Sequence, residues 1–213
     1  MRRAILFDLD GTLVDSLEDI AVALDAALGD LGLPLPTRAD VRSWIGGGAR
    51  NLVAQATPPA RVDDVLARFR THYAAAPVAH TRLYEGLAPV LDALAAAGHA
   101  LAVLTNKPHD LALQICDPLL ARWPFAAIVG AQTGVPLKPD PAAALVLSKR
   151  LGVAPDRCAM VGDSAIDIEM AHAAGMRAIA VTWGFRPRAE LEAARPALLV
   201  DSPEGLRALV SAT

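Results

Sequence analysis

Short apolar runs alternate with longer segments of helical periodicity over most of the chain. Most of these runs are followed at once by Gly, Asn or Asp, which is typical of buried parallel strands that end in loops. Because strands and helices alternate, the pattern predicts an α/β fold with a Rossmann-like parallel sheet core. We predict strands at residues 4–7, 101–104, 127–129, 159–161, 178–181 and 198–200, and helices between them at 89–97, 111–120, 142–151 and 166–174.

One stretch interrupts this alternation. Residues 17–81 contain no strand pattern, and apolar residues recur at helical spacing from Ile20 to Leu31. We therefore predict a small all-helical cap domain, residues 17–81, inserted after the first strand of a core made of residues 1–16 and 82–213. The remaining helical segments of this insert are predicted at 38–45, 49–55 and 62–75.

Composition excludes several classes of partner. Hydrophobic residues make up 54% of the 213 residues and the formal net charge is −3, so we expect no general attraction to nucleic acid or to an anionic membrane. No apolar stretch reaches the ~20 residues of a membrane span, and Cys116 and Cys158 lack the spacing of a metal site. The sequence predicts a cytoplasmic protein with buried free thiols, and no protein partner is evident.

Two carboxylates, Asp8 and Asp10, flank one apolar residue where the first predicted strand ends. A carboxylate is already ionised at neutral pH, so Asp8 can attack phosphorus without an activating base. Asp10 can protonate the leaving alkoxide and then take a proton from the water that hydrolyses the acyl phosphate. A polar turn with a capping aspartate is the alternative for this pair alone.

Two further segments carry groups that suit a phosphate. Thr105 and Asn106 follow the predicted strand at 101–104, and their hydroxyl, amide and backbone N–H groups can bind phosphate oxygens at a helix entrance, although an ordinary helix cap also fits. Lys138 lies in a proline-rich turn just ahead of a helix. An ammonium held there can neutralise both the nucleophile and the phosphoryl group, and a surface turn is the alternative.

Asp163 and Asp167 follow the predicted strand at 159–161. Carboxylates that converge with waters and a phosphate suit Mg²⁺, which would offset the repulsion between an anionic nucleophile and an anionic substrate. Asp167 can instead cap the following helix, so Asp163 is the stronger candidate ligand.

The four segments, in this order, resemble the motifs of the haloacid-dehalogenase-like hydrolase superfamily, and the resemblance covers nearly the whole chain. It implies a Mg²⁺-dependent phosphatase that forms a phosphoaspartyl intermediate, with the helical insert as the cap. The matching segments are 8–15, 105–107, Lys138 and 162–167. By the same resemblance, Mg²⁺ is held by the Asp8 and Asp163 side chains and the Asp10 carbonyl, Asp167 supports its water shell, and Thr105, Asn106 and Lys138 bind phosphate.

Within the superfamily, segments 45–50, 105–108 and 181–185 are similar to phosphoglycolate phosphatases. This resemblance implies a small phosphorylated metabolite, such as 2-phosphoglycolate, as substrate. Glu85 stands in the return hinge where relatives often have Pro, which bears on hinge rigidity and not on chemistry. The alternatives are a sugar-phosphate mutase resembling β-phosphoglucomutase and a noncatalytic binding protein of the same fold.

Arg50 lies just beyond three consecutive glycines in the predicted insert, near a helix start. A guanidinium matches a carboxylate bidentately, so we expect Arg50 to bind the carboxylate of phosphoglycolate if the glycine turn presents it to the core. A solvated helix arginine fits the sequence equally well.

Overall fold

A computed structural model describes residues 3–210 of the chain. Its strands are β1 (Ala4–Phe7), β2 (Val14–Asp15), β3 (Arg82–Leu83), β4 (Ala100–Pro108), β5 (Phe125–Ala131), β6 (Cys158–Gly162), β7 (Arg177–Val181) and β8 (Leu198–Val200). Six of these strands form one parallel sheet in the order β5-β4-β1-β6-β7-β8. The other two, β2 and β3, pair antiparallel as a short separate ribbon.

The central strand, β1, is buried on both faces because all four of its residues are apolar and helices cover the sheet on each side. Ile5 and Phe7 pack into one core, while Ala4 and Leu6 pack into the other, since successive strand residues face opposite sides. Because β1 is bonded in parallel to both β4 and β6, the carboxyl ends of these three strands meet at one edge of the sheet.

Nine α-helices fall within the described residues. They are α1 (Leu17–Gly29), α2 (Arg38–Trp44), α3 (Ala49–Ala56), α4 (Val62–Ala75), α5 (Leu87–Ala96), α6 (His109–Leu120), α7 (Ala142–Leu151), α8 (Ala165–Ala173) and α9 (Arg188–Ala193). Helices α5 and α6 share the core of Ile5 and Phe7, and α7, α8 and α9 share the core on the opposite face. None of the helices in this part of the chain is long and apolar enough to cross a bilayer.

Helices α1 to α4, which we call the helical insert, lie between β2 and β3 in the chain. Ile20, Leu24 and Leu28 recur on one side of α1 and are buried, and α1 packs chiefly against α4. The buried residues of the insert are continuous with the core of Ile5 and Phe7. The insert therefore shares one core with this side of the sheet, and the division of the chain into two domains stays a prediction.

The predicted α/β class and parallel sheet are confirmed, and most predicted elements differ from the observed ones by one to four residues at an end. Strand β4 is the main correction. It continues through Pro108, so Thr105 and Asn106 lie within the end of a strand and not at a helix entrance. The β2–β3 ribbon and α9 were not predicted, because segments of two to six residues are too short to show a period.

A buried carboxylate connects the two chain segments at the base of the insert. Asp19, in the first turn of α1, accepts hydrogen bonds from the backbone N–H groups of His80 and Thr81 and from the Thr81 hydroxyl, at 2.6 to 3.0 Å. Burial alone would raise the pKa of Asp19, but these hydrogen bonds outweigh it and lower the pKa below the ordinary 3.8. The ionised carboxylate therefore connects α1, at the start of the insert, to residues His80 and Thr81 at its end by hydrogen bonds.

We expect Asp19→Ala to lower the free energy of unfolding by about 2 to 3 kcal/mol at pH 7, because it leaves buried N–H donors without an acceptor. Urea unfolding measures this change. The depressed pKa makes the contribution of Asp19 complete above about pH 4 and lost only as the pH falls below 3.8. Asp63→Ala, which removes an exposed ion pair on the same insert, is the control and should cost under about 1 kcal/mol; equal losses would contradict the role of Asp19.

Candidate active site

Polar side chains converge at the carboxyl ends of β1, β4 and β6, where the sheet presents its loops. Asp8 follows β1 directly, and its backbone N–H still donates to the Val161 carbonyl of β6 at 2.9 Å. Asp163 follows β6, and Thr105 lies near the end of β4. All three side chains are buried. The order β4-β1-β6 thus brings groups that are about 55 to 155 residues apart in the chain to one place.

Lys138 supplies the positive charge of this cluster. Its Nζ donates to Asp8 Oδ1 at 2.8 Å, to Asp167 Oδ1 at 2.6 Å and to the Leu104 carbonyl at 3.1 Å. Burial would lower the pKa of Lys138, but the charges of Asp167 and Asp8 outweigh it and raise the pKa above its ordinary value. The lysine is therefore protonated and holds two carboxylates at once.

The side chain of Asn106 positions Lys138. Its Oδ1 accepts from the Lys138 backbone N–H at 2.9 Å, and its Nδ2 donates to the Lys138 carbonyl and to the Gly46 carbonyl, both at 3.0 Å. The amide thus fastens the lysine loop to β4 and also to the turn before α3. Every polar atom of this side chain is engaged, so Asn106 acts through the backbone of Lys138 and not through a free amide.

Asp8, Asp163 and Asp167 place ligand atoms within 4.8 Å of one another, with one lysine to oppose three carboxylates. Burial, together with the charges of Asp8 and Asp167, raises the pKa of Asp163 to about 8. For Asp8, burial outweighs the opposing charge of Lys138 and raises the pKa to about 6. Such buried carboxylates repel one another unless a cation or protons compensate them.

The donor set fits a hard divalent cation. Both oxygens of Asp167 are engaged, Oδ1 with Lys138 and Oδ2 with the hydroxyl of Ser164, which caps α8. Asp163 accepts a short bond of 2.7 Å from the Phe185 N–H at Oδ2 and only a long one of 3.4 Å from Thr12 at Oδ1. Asp8 and Asp163 are therefore the carboxylates with free ligand capacity, and Asp167 supports the cluster from behind.

Close backbone approach explains the glycines around this cluster. A Cβ at Gly11, whose φ is +84°, would lie 2.3 Å from Asp163 Oδ2, and a Cβ at Gly184 would lie 2.3 Å from Asp163 Cβ. Only glycine leaves room for the carboxylate at both positions. Gly184 was not predicted as a site residue, although segment 181–185, which contains it, carries part of the family resemblance.

Asp10 lies beside a second buried lysine. Lys107 Nζ donates to Asp10 Oδ1 at 2.9 Å, to Asp10 Oδ2 at 3.0 Å and to the hydroxyl of Tyr73, on α4, at 2.6 Å. The Ser16 hydroxyl also donates to Asp10 Oδ1, at 2.6 Å. Burial raises the pKa of Tyr73 well above its ordinary value, so its hydroxyl remains neutral and accepts from the lysine. The second carboxylate of the pair is thus held by core and insert together.

Neither Lys107 nor Tyr73 was predicted from the sequence as a site residue. In the sequence Tyr73 fits the apolar side of a helix, and Lys107 directly follows Thr105 and Asn106, which were predicted to bind phosphate. Burial is the property that distinguishes Lys107 from an ordinary surface lysine. The sequence does not show this burial, because Lys107 contacts Tyr73 of α4, a helix that is distant in the chain.

A cavity lies between the carboxyl edge of the sheet and the helical insert. Its core side presents both aspartates of the first loop and the end of β4, and its insert side is mostly apolar. The lining residues are Asp8, Asp10, Ile20, Ile45, Gly46, Gly48, Ala49, Leu52, Phe69, Tyr73, Thr105, Asn106, Lys107, Pro108 and Leu111. A small polar molecule held there would meet polar groups on the core side and mostly apolar side chains on the insert side.

The structure does not bring Arg50 to this cavity. Its guanidinium pairs with Asp63 of α4 at 2.6 Å, and its side chain is 64% exposed. The glycine turn does reach the cavity, through Gly46, Gly48 and Ala49, but Arg50 lies on the solvent side of α3. The expectation that Arg50 binds a substrate carboxylate is therefore corrected to the solvated helix arginine that the sequence also allowed.

A loop after β7 connects the acidic cluster to the insert. While the Phe185 N–H bonds Asp163, the carbonyls of Gly184 and Phe185 accept from Arg42 of α2, at 2.6 and 3.2 Å. Arg186 of the same loop donates in return to the carbonyls of Ser43 and of Ile45. The two arginines lock this loop and the end of α2 together.

Comparison with known proteins identifies the family to which the chain is similar. A family model described as haloacid dehalogenase-like hydrolase matches residues 5–181, which include every residue of the acidic cluster. Two curated relatives, both named phosphoglycolate phosphatase, come from Pseudomonas putida and Aquifex aeolicus. They are 37% and 39% identical to this chain, over 98% and 86% of it and over 78% and 86% of their own lengths.

A solved structure has the same overall fold. The crystal structure of a protein described as a predicted phosphoglycolate phosphatase from Haemophilus somnus 129pt superimposes with a TM-score of 0.90 at 30% identity. The match covers 99% of this chain and 98% of that one. The similarity therefore extends over the sheet and the helical insert together.

We expect Asp163→Asn to stabilise the metal-free protein. Because the pKa of Asp163 is raised to about 8, the folded state keeps a proton that the unfolded state releases above pH 3.8, so the free energy of unfolding falls as the pH rises from 3.8 towards 8. Thermal unfolding in excess chelator should show a gain of roughly 1 to 3 kcal/mol at pH 8 and a smaller gain at pH 6. The Asn oxygen can still accept from Phe185. Added divalent cation should reverse the order, since it can stabilise only the protein that binds it.

Asp156→Asn, on an exposed turn, is the matched control and should change neither measurement. A metal-free Asp163→Asn protein that is less stable than the wild type at pH 8 would contradict the account of the cluster as a cation site.

Proposed function

Since the chain belongs to the haloacid dehalogenase-like hydrolase family, we propose that it is a phosphatase that hydrolyses a small phosphate monoester, 2-phosphoglycolate, through a phosphoaspartyl intermediate. The observation that carries this proposal is the arrangement of Asp8 and Asp10, which face one cavity while each is paired with its own buried lysine. The names of the two curated relatives support the choice of substrate.

Asp8 is the proposed nucleophile. Lys138 holds Asp8 Oδ1 at 2.8 Å, which fixes the carboxylate and leaves Oδ2 for attack on phosphorus. The attack forms the bond between Asp8 and phosphorus while the bond to the leaving oxygen breaks, and the product is an acyl phosphate on Asp8. We propose that the Thr105 hydroxyl, which lines the cavity, binds an oxygen of the phosphoryl group, and that Lys138 binds another by giving up one of its three hydrogen bonds.

Asp10 is the proposed general acid and base. Its proton passes to the leaving oxygen as the ester bond breaks, so the departing group leaves as an alcohol. Asp10 then takes a proton from the water that attacks phosphorus, and this second displacement releases inorganic phosphate and regenerates Asp8. Two separate carboxylates are needed because the nucleophile must stay ionised while the acid must carry a proton.

We propose Mg²⁺ as the cofactor, held by the side chains of Asp8 and Asp163 and the Asp10 carbonyl, with Asp167 behind them. When bound, the cation would offset the charge that the carboxylate and the phosphoryl group bring together. The helical insert, residues 17–81 in the predicted division, serves as a cap. Its apolar lining excludes water other than the reacting one and strengthens the electrostatic interactions beneath it.

Phosphate release from 2-phosphoglycolate tests this function. We expect turnover with Mg²⁺ and without a bisphosphate activator, and its loss in excess chelator. Asp8→Asn should reduce turnover by a factor of at least about 1,000 while leaving the fold intact, because it removes the attacking carboxylate and keeps the shape. Asp156→Asn should behave as the wild type. Undiminished release by Asp8→Asn would exclude Asp8 as nucleophile, and a requirement for a bisphosphate would favour a mutase.

For Asp10→Asn we expect turnover of an alkyl phosphate to fall by a factor on the order of 100 to 10,000, the usual contribution of general acid and base catalysis. The loss should be much smaller in the phosphorylation of Asp8 by an aryl phosphate such as p-nitrophenyl phosphate, because a phenolate leaves without protonation. Burst kinetics with each ester separates this step from hydrolysis of the intermediate. Equal losses in that step for both esters would show that Asp10 does not protonate the leaving oxygen.

A further inference from the structure

The chain contains three lysines. One of them, Lys107, lines the cavity but has no role in the proposed chemistry. Lys138 serves the phosphoryl end of the site, and Lys149 is exposed on α7. Lys107 is buried, with only 5% of its surface exposed. Burying an ammonium is costly unless something compensates it, so its surroundings indicate what it is for.

Lys107 uses all three of its N–H donors. Two go to the oxygens of Asp10 and the third to the Tyr73 hydroxyl, and the Tyr73 ring lies 4.4 Å from Nζ. Both contacts to Asp10 involve the carboxylate that must deliver a proton to the leaving oxygen. For that delivery an oxygen of Asp10 has to face the substrate, and transfer of one Lys107 bond to another acceptor would leave that oxygen less engaged.

Lys138, which serves the phosphoryl end of the site, is not among the residues that line the cavity, so among the described residues a second anionic group of the substrate meets no cationic side chain there other than Lys107. Of the lining residues in the described part of the chain, Lys107 alone carries a positive charge, and the two acids, Asp8 and Asp10, carry the negative ones. Arg50, the other candidate for a carboxylate, pairs with Asp63 on the solvent side. A second anionic group of the substrate would otherwise meet the apolar lining of the insert, where it could not be solvated.

The size of the substrate determines where such a group lies. In 2-phosphoglycolate the carboxylate carbon is only two bonds from the leaving oxygen. When that oxygen is in hydrogen-bond contact with Asp10, the carboxylate necessarily lies in the immediate neighbourhood of Asp10. Lys107 Nζ, at 2.9 and 3.0 Å from the two Asp10 oxygens, occupies that neighbourhood.

We propose that Lys107 binds the substrate carboxylate and is the residue that selects phosphate esters with a carboxylate beside the ester carbon. On binding, the ammonium exchanges one hydrogen bond to Asp10 for one to the substrate, so the same event frees an Asp10 oxygen to face the leaving group. Lys107 stays protonated and no covalent bond changes in this exchange. The inference rests on the proposed function, since it names the group that recognises its substrate.

Tyr73 is the positioning residue in this arrangement. Its hydroxyl keeps Lys107 in the cavity while the bonds to Asp10 are exchanged, and it belongs to α4 of the insert. Recognition of the carboxylate therefore depends on the insert lying over the core.

The experiment compares kcat/KM for 2-phosphoglycolate with that for ethyl phosphate, which has the same chain length and a methyl group in place of the carboxylate. The ratio of the two constants cancels effects that are common to both esters. Lys107→Met, which keeps the length of the side chain and removes its charge, should lower this ratio by about 10- to 150-fold. Lys107→Arg keeps the charge and should retain most of the preference, and Lys149→Met is the matched control with an unchanged ratio.

Tyr73→Phe provides a second, milder variant in case Lys107→Met does not fold, which urea unfolding will reveal. It removes one hydroxyl and keeps the ring, and it should lower the ratio by about two- to tenfold.

The outcomes separate this inference from the function on which it rests. A wild-type protein that releases no phosphate from 2-phosphoglycolate would refute the proposed function. If the wild type is active but folded Lys107→Met loses activity equally on both esters, the proposed function is retained and Lys107 does not bind the substrate carboxylate. An unchanged ratio in Tyr73→Phe, where Lys107→Met does not fold, overturns the inference in the same way.

Discussion

Lys138 Nζ lies between the carboxylates of Asp8 and Asp167 where water has little access, and much of the surrounding structure serves to keep it there. Buried charges at this distance interact far more strongly than they would in water, and removal of Lys138 would leave two buried carboxylates without a compensating charge. Asn106 fixes the backbone of Lys138 on one side, and the cap of α8 fixes Asp167 on the other. The carboxylate of Asp8, the proposed nucleophile, is thereby held in place before any substrate binds.

The position of the insert and the geometry of the site are not independent. The amide of Asn106 bonds both the lysine loop and Gly46, and the loop that bonds Asp163 is itself held by Arg42 of α2. A displacement of the insert would break hydrogen bonds to the groups that position Lys138 and Asp163. Because each group holds a buried charge, the insert and the acidic cluster stabilise each other.

The sequence predicts those features that depend on local pattern. The apolar runs place β1 and β6, and the carboxyl-end rule then places Asp8 and Asp163 together, because neither inference needs to know how the insert packs. Arg50 and Lys107 are harder, since their roles depend on which side of α3 faces solvent and on α4 covering β4. Helical periodicity identifies the buried side of each helix but not the element it packs against, so the contact between Tyr73 and Lys107 could not be predicted.

The two aspartates of the first loop are each paired with a lysine, yet the two pairs differ in what holds them. Lys138 Nζ is bonded by Asp8, by the Leu104 carbonyl and by Asp167 of α8, all in the core, whereas Lys107 is shared between Asp10 and Tyr73 of the insert. The carboxylate of Asp8, the proposed nucleophile, is therefore held directly by core residues, and the insert acts on it indirectly, through Gly46 and Asn106. The surroundings of Asp10, the proposed general acid, depend on the insert and on the molecule that enters the cavity. In the proposed function, such a division would let the leaving group, the part that differs between phosphate esters, act on Asp10 more directly than on Asp8.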